Sequence, residues 1–159
     1  MPLQMKSAGR QPLLVILGPT ASGKSRLALA LAEALGGEIV SADAFAVYRG
    51  LDIGTDKAAA ADRRRVRHHL IDVADPREVF SAGAFARAAR AAIADSAARG
   101  LQPLVAGGTN FWIRALLEGL FDAPPRDPEV TAALAAGWRA DPAAMARRLA
   151  AVDPESARR

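Results

Sequence analysis

The chain of 159 residues contains no cysteine, few aromatic residues (5%) and no long apolar run. Without cysteine, neither a disulfide nor a cysteine-based zinc site can form. The apolar run at residues 13–17 is too short for the core of a signal peptide, and no stretch reaches the length of a transmembrane helix. We therefore expect a cytoplasmic protein that does not associate with membranes.

The overall composition is that of an ordinary soluble globular domain. Apolar residues make up 51% of the chain and charged residues 24%, and the length suits one domain with a proper core. The net charge of +4 comes mostly from arginine. Because arginine suits phosphate recognition, this charge is a mild indication of a nucleotide or nucleic-acid ligand.

One stretch matches the phosphate-binding pattern G-x-x-x-x-G-K-[ST]. It consists of Gly18, Pro19, Thr20, Ala21, Ser22, Gly23, Lys24 and Ser25. A predicted strand at 13–17 precedes this phosphate loop and a predicted helix at 26–35 follows it, which is the context that the pattern requires. The loop amides and Lys24 would bind a di- or triphosphate, and the Ser25 hydroxyl would bind Mg²⁺.

Strands and helices alternate through the first two thirds of the chain. Further strands are predicted at 38–41, 68–73 and 101–106, with helices at 81–99 and 110–118. This order predicts an α/β fold with a parallel sheet flanked by helices, of the P-loop NTPase type. The predicted domains are a disordered tail (1–12), the α/β core (13–122) and the start of a helical insertion (123–159) with helices at 128–139 and 142–151.

Polar residues follow the second predicted strand, where ligands bind in open α/β sheets. Asp43 is therefore a candidate general base or metal ligand, and a turn-capping aspartate is the alternative. Asp52 and Thr55 are better explained as loop residues. The nearest approach to a Walker B pattern, a run of apolar residues followed by aspartate, is the weak match at 69–72.

Three further groups of residues have a functional and a structural interpretation. Thr109 follows a double glycine at a helix start, where it is either an anion-binding residue or a plain N-cap. His68 and His69 have no partner at metal-ligand spacing, which favours a structural role. Large aromatic residues are more often in the core, but some of them are candidates for stacking on bases. These candidates are Phe45, Trp112 and Trp138.

Taken together, these motifs resemble one family, the tRNA dimethylallyltransferases, also called isopentenyl-diphosphate:tRNA transferases. The stretches that carry the resemblance are 18–25, 41–43 with 47–55, 68–72, 80–83, 107–109 with 114–119, and 153–157. Several motifs in one order, spread over residues 13–157, are far more specific than the phosphate loop alone.

The resemblance implies an unusual use of the phosphate loop. The loop would hold the diphosphate of dimethylallyl diphosphate while the N6 amine of a tRNA adenine next to the anticodon attacks the allylic carbon. Asp43 would accept the amine proton, and Lys24 and Ser25, the latter with Mg²⁺, would stabilise the leaving pyrophosphate. The residues implied to contact the anticodon arm of tRNA are Asp43, Ala44, Phe45, Ala46, Thr109 and Thr131. We expect a monomer.

Three features depart from the family pattern. Many members carry serine and often glutamine in the segment that is Ala44 to Ala46 here, and members often have arginine where this chain has Thr131. Members are also about twice as long, so we expect this chain to be the N-terminal half of a longer protein. Three alternatives stay open, namely an adenylate isopentenyltransferase that acts on a free nucleotide, a small ATP-dependent P-loop kinase, and an inactive chain that binds polyphosphate.

Overall fold

The computed structural model describes residues 12–121 and 127–158. Its strands are β1 (Leu14–Leu17), β2 (Gly37–Ser41), β3 (His68–His69) and β4 (Gln102–Gly107). Its helices are α1 (Lys24–Leu35), α2 (Ala60–Arg65), α3 (Ala82–Ala98), α4 (Asn110–Leu117), α5 (Pro128–Ala140) and α6 (Pro142–Val152), and a 3₁₀ turn follows at Ser156–Arg158. The predicted α/β fold is confirmed.

The four strands form one parallel sheet in the order β1-β4-β2-β3. Leu14 lies opposite Leu104 in the β1–β4 pair, and Ile39 lies opposite Leu104 on β4 and His68 on β3. Because parallel strands need crossover connections, α1 links β1 to β2 and α3 links β3 to β4. All four strands therefore end at the same edge of the sheet.

The sheet separates two apolar cores. On the α1 side the buried residues are Ala28, Ala32, Ile39, Val66 and Leu104. On the other side, α3 and α4 pack on Val40 and Val105, and the Phe85 and Trp112 rings stack with centroids 4.8 Å apart. Trp112 is therefore a core residue and is not available to stack on a base.

The helix boundaries follow the signals in the sequence. Ser81 caps α3 by accepting a hydrogen bond from the Ala84 amide at 3.1 Å, as predicted. Gly36 and Gly100 follow α1 and α3 with φ of 62° and 74°. That left-handed conformation is easy only for glycine, which explains why the two helices end there.

The third strand is shorter than predicted. The prediction covered 68–73, but β3 ends at His69, and Leu70 and Asp72 have φ of 61° and 59°. The Asp72 amide donates to the Ala46 carbonyl, and the Val73 amide donates to the Val47 carbonyl. The chain therefore leaves the sheet after two residues because the segment that follows β2 offers its backbone groups better partners.

The chain divides into two compact units, residues 1–120 and 121–159. In the second unit, Asp127 caps α5 and Asp141 caps α6 through their carboxylates. Gly137 on α5 lies against Met145 on α6, where an added Cβ would stand 3.0 Å from Sδ. The two predicted helices are confirmed. The predicted boundary at 122–123 and the tail up to residue 11 lie outside the described residues.

The amino-terminal half of β2 carries a buried carboxylate with a full set of partners. The Glu38 side chain is 8% exposed and accepts hydrogen bonds from Arg99 at 2.6 and 2.8 Å, His69 at 2.7 Å and Ser96 at 2.8 Å. The bonds from Arg99 lower the pKa of Glu38 to about 2, although burial opposes them. His69 therefore has the structural role that its spacing favours.

This carboxylate predicts an acid-sensitive fold. Since the pKa of Glu38 falls from 4.5 to about 2 on folding, its contribution is complete above pH 4.5 and is lost as the pH falls towards 2. We expect Glu38→Gln to cost up to about 3 kcal/mol at neutral pH and to flatten the acid limb of the stability profile. Urea unfolding at neutral and acid pH measures both effects.

Glu118→Gln is the control for this experiment, because Glu118 forms an exposed ion pair with Arg114. Such pairs contribute little, so we expect a small loss of stability and an unchanged acid limb. An acid limb of wild-type steepness in Glu38→Gln would contradict the role given to the buried carboxylate.

Candidate active site

The phosphate loop leads directly into α1. Gly23 occupies the N-cap position with φ of 83°, and Ala21 also has a positive φ of 63°. The Ser22 amide donates to the Pro19 carbonyl at 3.3 Å, which closes a turn within the loop. The first amides of a helix lack partners within the helix and favour an anion. The amino terminus of α1, at the end of this turn, is therefore suited to bind phosphate.

Two side chains of α1 complete the loop. Lys24 folds back over it, and its ammonium group donates to the Pro19 carbonyl at 3.1 Å. A bound diphosphate would offer this ammonium a stronger, charge-assisted bond than the carbonyl does. Ser25 is exposed, and its hydroxyl has no hydrogen-bond partner within 12–121 and 127–158.

Asp43 follows the end of β2, and its two carboxylate oxygens are used differently. Oδ1 accepts from the Phe45 amide at 2.8 Å and from the Ala46 amide at 3.1 Å. Oδ2 has no partner among the described residues. The turn-capping role and a chemical role are therefore compatible, because one oxygen fixes the side chain and the other stays available.

Thr109 ties the start of α4 to the segment that follows β2. It stands at the N-cap position, but its side chain makes no capping bond. Instead Oγ1 accepts from the Ala44 amide at 3.1 Å, and the Thr109 amide donates to the Ala42 carbonyl at 3.2 Å. The plain N-cap interpretation is therefore wrong, because the Ala44 amide takes the oxygen that a helix amide would need.

The double glycine before Thr109 lies in a narrow space. A Cβ on Gly107 would overlap the backbone carbonyl of Ala42, which cannot move without disturbing β2. A Cβ on Gly108 would stand 3.4 Å from the Gly18 carbonyl and 3.9 Å from Lys24 Cε. The two glycines thus connect the end of β2 with the phosphate loop at close range.

A cavity of about 60 Å³ opens where these segments meet. Its polar lining residues are Lys24, Ser25, Ser41, Asp43, Asp56, Lys57 and His68, and its apolar ones include Ala28, Ile39, Ala46 and Ile71. The structure therefore brings Lys24 and Ser25 of the phosphate loop together with Asp43 at one site, whereas residues 18–23 of the loop lie outside the lining.

Of the other predicted contact residues, Ala46 belongs to this lining, and the rest lie outside it. Ala44 and Thr109 stand behind Asp43 and bond each other, and the neighbouring Phe45 is 64% exposed. Thr131 belongs to α5 in the second unit, where its hydroxyl donates to the Asp127 carbonyl at 2.7 Å. Trp138 of the same helix is also largely exposed.

An ion-pair network fixes the loop on the far side of the cavity. Lys57 has a side chain only 5% exposed and donates to Asp52, Asp72 and the Tyr48 carbonyl at 2.7–2.9 Å. Arg63 bonds the second oxygen of Asp72 at 2.7 Å. Burial opposes the charged forms, but these contacts raise the pKa of Lys57 and lower that of Asp72. Asp72 is thus a partner of two cations, which argues against a Walker B role.

Sequence reasoning expected Lys57 near the phosphate loop but gave no site role to Ser41 and Asp56. It favoured a structural role for His68, which also lines the cavity. Ser41 stands two positions before Asp43, and residues two apart on a strand share a face. His68 lies opposite Ile39 on that same face. The alternation of the two strands was the available signal for Ser41 and His68, whereas nothing in the pattern marks Asp56.

The oxygen atoms at the site suit an Mg²⁺ ion that is bound jointly by the protein and a substrate phosphate. Among the described residues, no group of three or more acidic or histidine side chains is placed to hold a metal ion. Mg²⁺ is, however, often bound by one or two protein oxygens together with substrate phosphates and water. The unpartnered hydroxyl of Ser25, beside the phosphate loop, fits this second arrangement.

Comparison with known proteins identifies close relatives. The family model described as IPP transferase matches residues 46–159. The tRNA dimethylallyltransferase of Anaeromyxobacter dehalogenans (strain 2CP-C) is 55% identical over 92% of this chain, and that of Methylococcus capsulatus is 51% identical over 98%. The chain spans about half the length of these relatives, 50% in both cases.

Solved structures of tRNA-modifying transferases are also similar to this chain. A full-length tRNA isopentenylpyrophosphate transferase from Bacillus halodurans matches 93% of this chain with a TM-score of 0.69 and 37% identity, over 50% of its own length. A eukaryotic dimethylallyltransferase acting on tRNA matches 91% of this chain with a TM-score of 0.77 and 29% identity, over 36% of its own length.

No helix within 12–121 and 127–158 has the length and apolar character needed to cross a bilayer.

The glycine pair predicts a sharp contrast between two substitutions. Gly107→Ala forces its methyl group into the Ala42 carbonyl, so we expect a loss of about 2 kcal/mol or more in the free energy of unfolding. Gly108→Ala, with its nearest contact at 3.4 Å, is the matched control and should cost much less. Denaturant unfolding of both variants measures the difference, and equal losses would contradict the close approach at Gly107.

Proposed function

Because the chain belongs to the IPP transferase family, we propose that it supplies the donor-binding and proton-accepting part of a tRNA dimethylallyltransferase. The substrate pair would be dimethylallyl diphosphate and a tRNA whose adenine next to the anticodon is modified. The observation that carries the proposal is the cavity shared by Lys24, Ser25 and Asp43. A phosphate-binding group and a carboxylate in one small cavity suit a reaction in which a diphosphate leaves as an amine loses a proton.

The reaction proceeds in one displacement. The N6 lone pair of adenine forms a bond to C1 of the dimethylallyl group, and the C1–O bond breaks with its electron pair going to pyrophosphate. The amine proton passes to Oδ2 of Asp43, the oxygen that the Phe45 and Ala46 amides leave free. Because those two amides hold Oδ1, the carboxylate keeps one orientation, which favours proton transfer in a fixed geometry.

The leaving group is stabilised from the other side of the cavity. The loop amides and the Lys24 ammonium oppose the charge that develops on pyrophosphate. Mg²⁺, held by the Ser25 hydroxyl and the diphosphate, would supply further positive charge there. Lys24 exchanges its bond to the Pro19 carbonyl for one to phosphate.

The acceptor would approach past the segment that follows Asp43. Phe45 stands exposed beside Asp43, and Ala44 and Thr109 hold that segment in place through their hydrogen bond. We propose that this surface and Thr131 contact the anticodon arm. An adenine can reach Asp43 only if it leaves its stack in the RNA, as in enzymes that flip their target base.

Asp43→Asn tests the proton acceptor. Asparagine keeps an Oδ1 for the Phe45 and Ala46 amides, while its amide nitrogen cannot take the proton. We expect single-turnover transfer to an anticodon stem-loop to fall by at least about 100-fold, with unchanged affinity for dimethylallyl diphosphate. Asp62→Asn on α2, which breaks an exposed pair with Arg65, is the control and should transfer normally.

Two results would contradict this proposal. An equal loss of binding and transfer in Asp43→Asn would mean that the carboxylate only supports the fold. A wild-type chain that modifies AMP faster than the stem-loop would favour the adenylate isopentenyltransferase alternative.

Lys24→Ala tests the diphosphate site. A ligand that binds only the folded chain stabilises it by about 2.7 kcal/mol at a hundredfold excess over its dissociation constant. With Mg²⁺ present, we expect dimethylallyl diphosphate to raise the melting temperature of the wild-type chain, and Lys24→Ala to lose most of that rise. Arg26→Ala, which removes an exposed charge outside the cavity lining, should keep it. A shift with ATP alone would instead favour the kinase.

A further inference from the structure

Two polar residues of the cavity, Ser41 and His68, have no role in the reaction proposed above. Ser41 is the last residue of β2 and is only 8% exposed, yet its hydroxyl has no hydrogen-bond partner among residues 12–121 and 127–158. His68 on β3 uses only Nδ1, which lies 2.9 Å from the Val66 carbonyl. No buried side-chain nitrogen or oxygen among the described residues lacks a partner, so the Ser41 hydroxyl and His68 Nε2 are accessible, and a ligand atom in the cavity that both residues line can bond them.

The bond to Val66 fixes the state of the His68 ring. A carbonyl can only accept, so Nδ1 carries the hydrogen, and in the neutral ring Nε2 is an acceptor. Burial lowers the pKa of His68, which favours this neutral form, although the bond to the Val66 carbonyl acts in the other direction. The cavity therefore has a hydroxyl and a hydrogen-bond acceptor on the same side.

The strands place these groups on one face. His68 lies opposite Ile39 across the β2–β3 pair, and Ser41 stands two residues beyond Ile39, so both side chains project to the α1 side of the sheet. Ser41 also precedes Asp43 by two residues, and all three line the same cavity. A small group bound at Asp43 would therefore have Ser41 and His68 next to it.

The proposed nucleophile has one more hydrogen than Asp43 can accept. An adenine N6 amine carries two N–H groups, and Oδ2 of Asp43 takes only one of them. Leaving the second N–H without an acceptor in a cavity would cost about as much as a lost hydrogen bond. A backbone carbonyl can accept a hydrogen bond from this N–H but cannot donate a further one. A serine hydroxyl can accept one hydrogen bond and donate another.

We propose that Ser41 and His68 are positioning residues for the amine. The Ser41 hydroxyl accepts the second N–H of the amine and donates its own hydrogen to Nε2 of His68, whose Nδ1–H bonds the Val66 carbonyl. The chain of three bonds holds the nitrogen so that its lone pair faces the donor carbon. This inference rests on the proposed transfer to an amine and adds to it a second pair of residues.

Ser41→Ala is the first test, with the 159-residue chain, dimethylallyl diphosphate and an anticodon stem-loop. We expect the single-turnover rate to fall about 10- to 100-fold while the affinity for dimethylallyl diphosphate stays unchanged, and we expect Ser41→Thr to recover much of the rate. Ser81→Ala, which removes the α3 cap at a residue outside the cavity lining, should lower the melting temperature and leave the rate unchanged. Normal transfer by Ser41→Ala would overturn the inference without touching the proposed function.

An acceptor with N6-methyladenine sharpens the test. It has a single N–H, which goes to Asp43, so Ser41 has no hydrogen to accept. We expect the penalty of Ser41→Ala to disappear with this acceptor, whereas a structural defect would persist. A penalty of equal size with both acceptors would contradict the positioning role.

The partnership of the two residues is tested by His68→Asn and by nuclear magnetic resonance. Asparagine keeps a donor for the Val66 carbonyl but has no acceptor at the Nε2 position, so Ser41→Ala and His68→Asn together should be no slower than the slower single variant. With unreactive analogues of both substrates bound, the ¹⁵N signal of His68 Nε2 should differ between the wild-type chain and Ser41→Ala. Additive rate losses would overturn the pairing, and an unmoved signal would overturn it even in a chain that proves inactive.

Discussion

The site depends on the close approach of β2 and β4 at their carboxyl ends. Gly107 has no side chain, and this lets the Ala42 backbone pack directly against it. The Ala42 amide then donates to the Ala106 carbonyl at 2.8 Å, and the Thr109 amide donates back to the Ala42 carbonyl. Any side chain at position 107 would separate the strands and with them the phosphate loop, Asp43 and Thr109, so these groups depend on one contact.

The surroundings of the cavity are fixed by charges that are satisfied before any ligand arrives. Lys57 is buried between Asp52 and Asp72, and Arg63 balances the second oxygen of Asp72. Because a buried ion pair is strongly destabilised by the loss of one partner, this network holds the loop after β2 in one position. Among the described polar groups of the lining, those that can still bond a ligand are the Lys24 ammonium, the Ser25 and Ser41 hydroxyls, the Asp56 carboxylate, one oxygen of Asp43 and one nitrogen of His68.

Most of the fold could be predicted from the sequence because its signals are local. The phosphate loop stands between an apolar run and a helix former, Ser81 begins α3, and Gly36 and Gly100 end helices. The errors concern groups whose partners are distant in sequence. The segment after His69 turns away towards residues 46–47, and Thr109 Oγ1 accepts a hydrogen bond from the Ala44 amide. Asp43 was a candidate from its place after a strand, and its turn-capping bonds are local, because they come from the amides two and three residues later.

Strand β2 illustrates how burial and hydrogen bonding assign different tasks to like groups. Glu38, near its start, has its oxygens occupied by Arg99, His69 and Ser96, which lowers the pKa of this carboxylate to about 2. A carboxylate so stabilised cannot take a proton near neutral pH and serves the fold. Asp43, beyond the other end of the strand, has two amides on one oxygen and none on the other. The two ends of this strand thus lead to two different carboxylates. Both oxygens of Glu38 are occupied, whereas Asp43 lines the cavity and keeps one oxygen without a partner among the described residues.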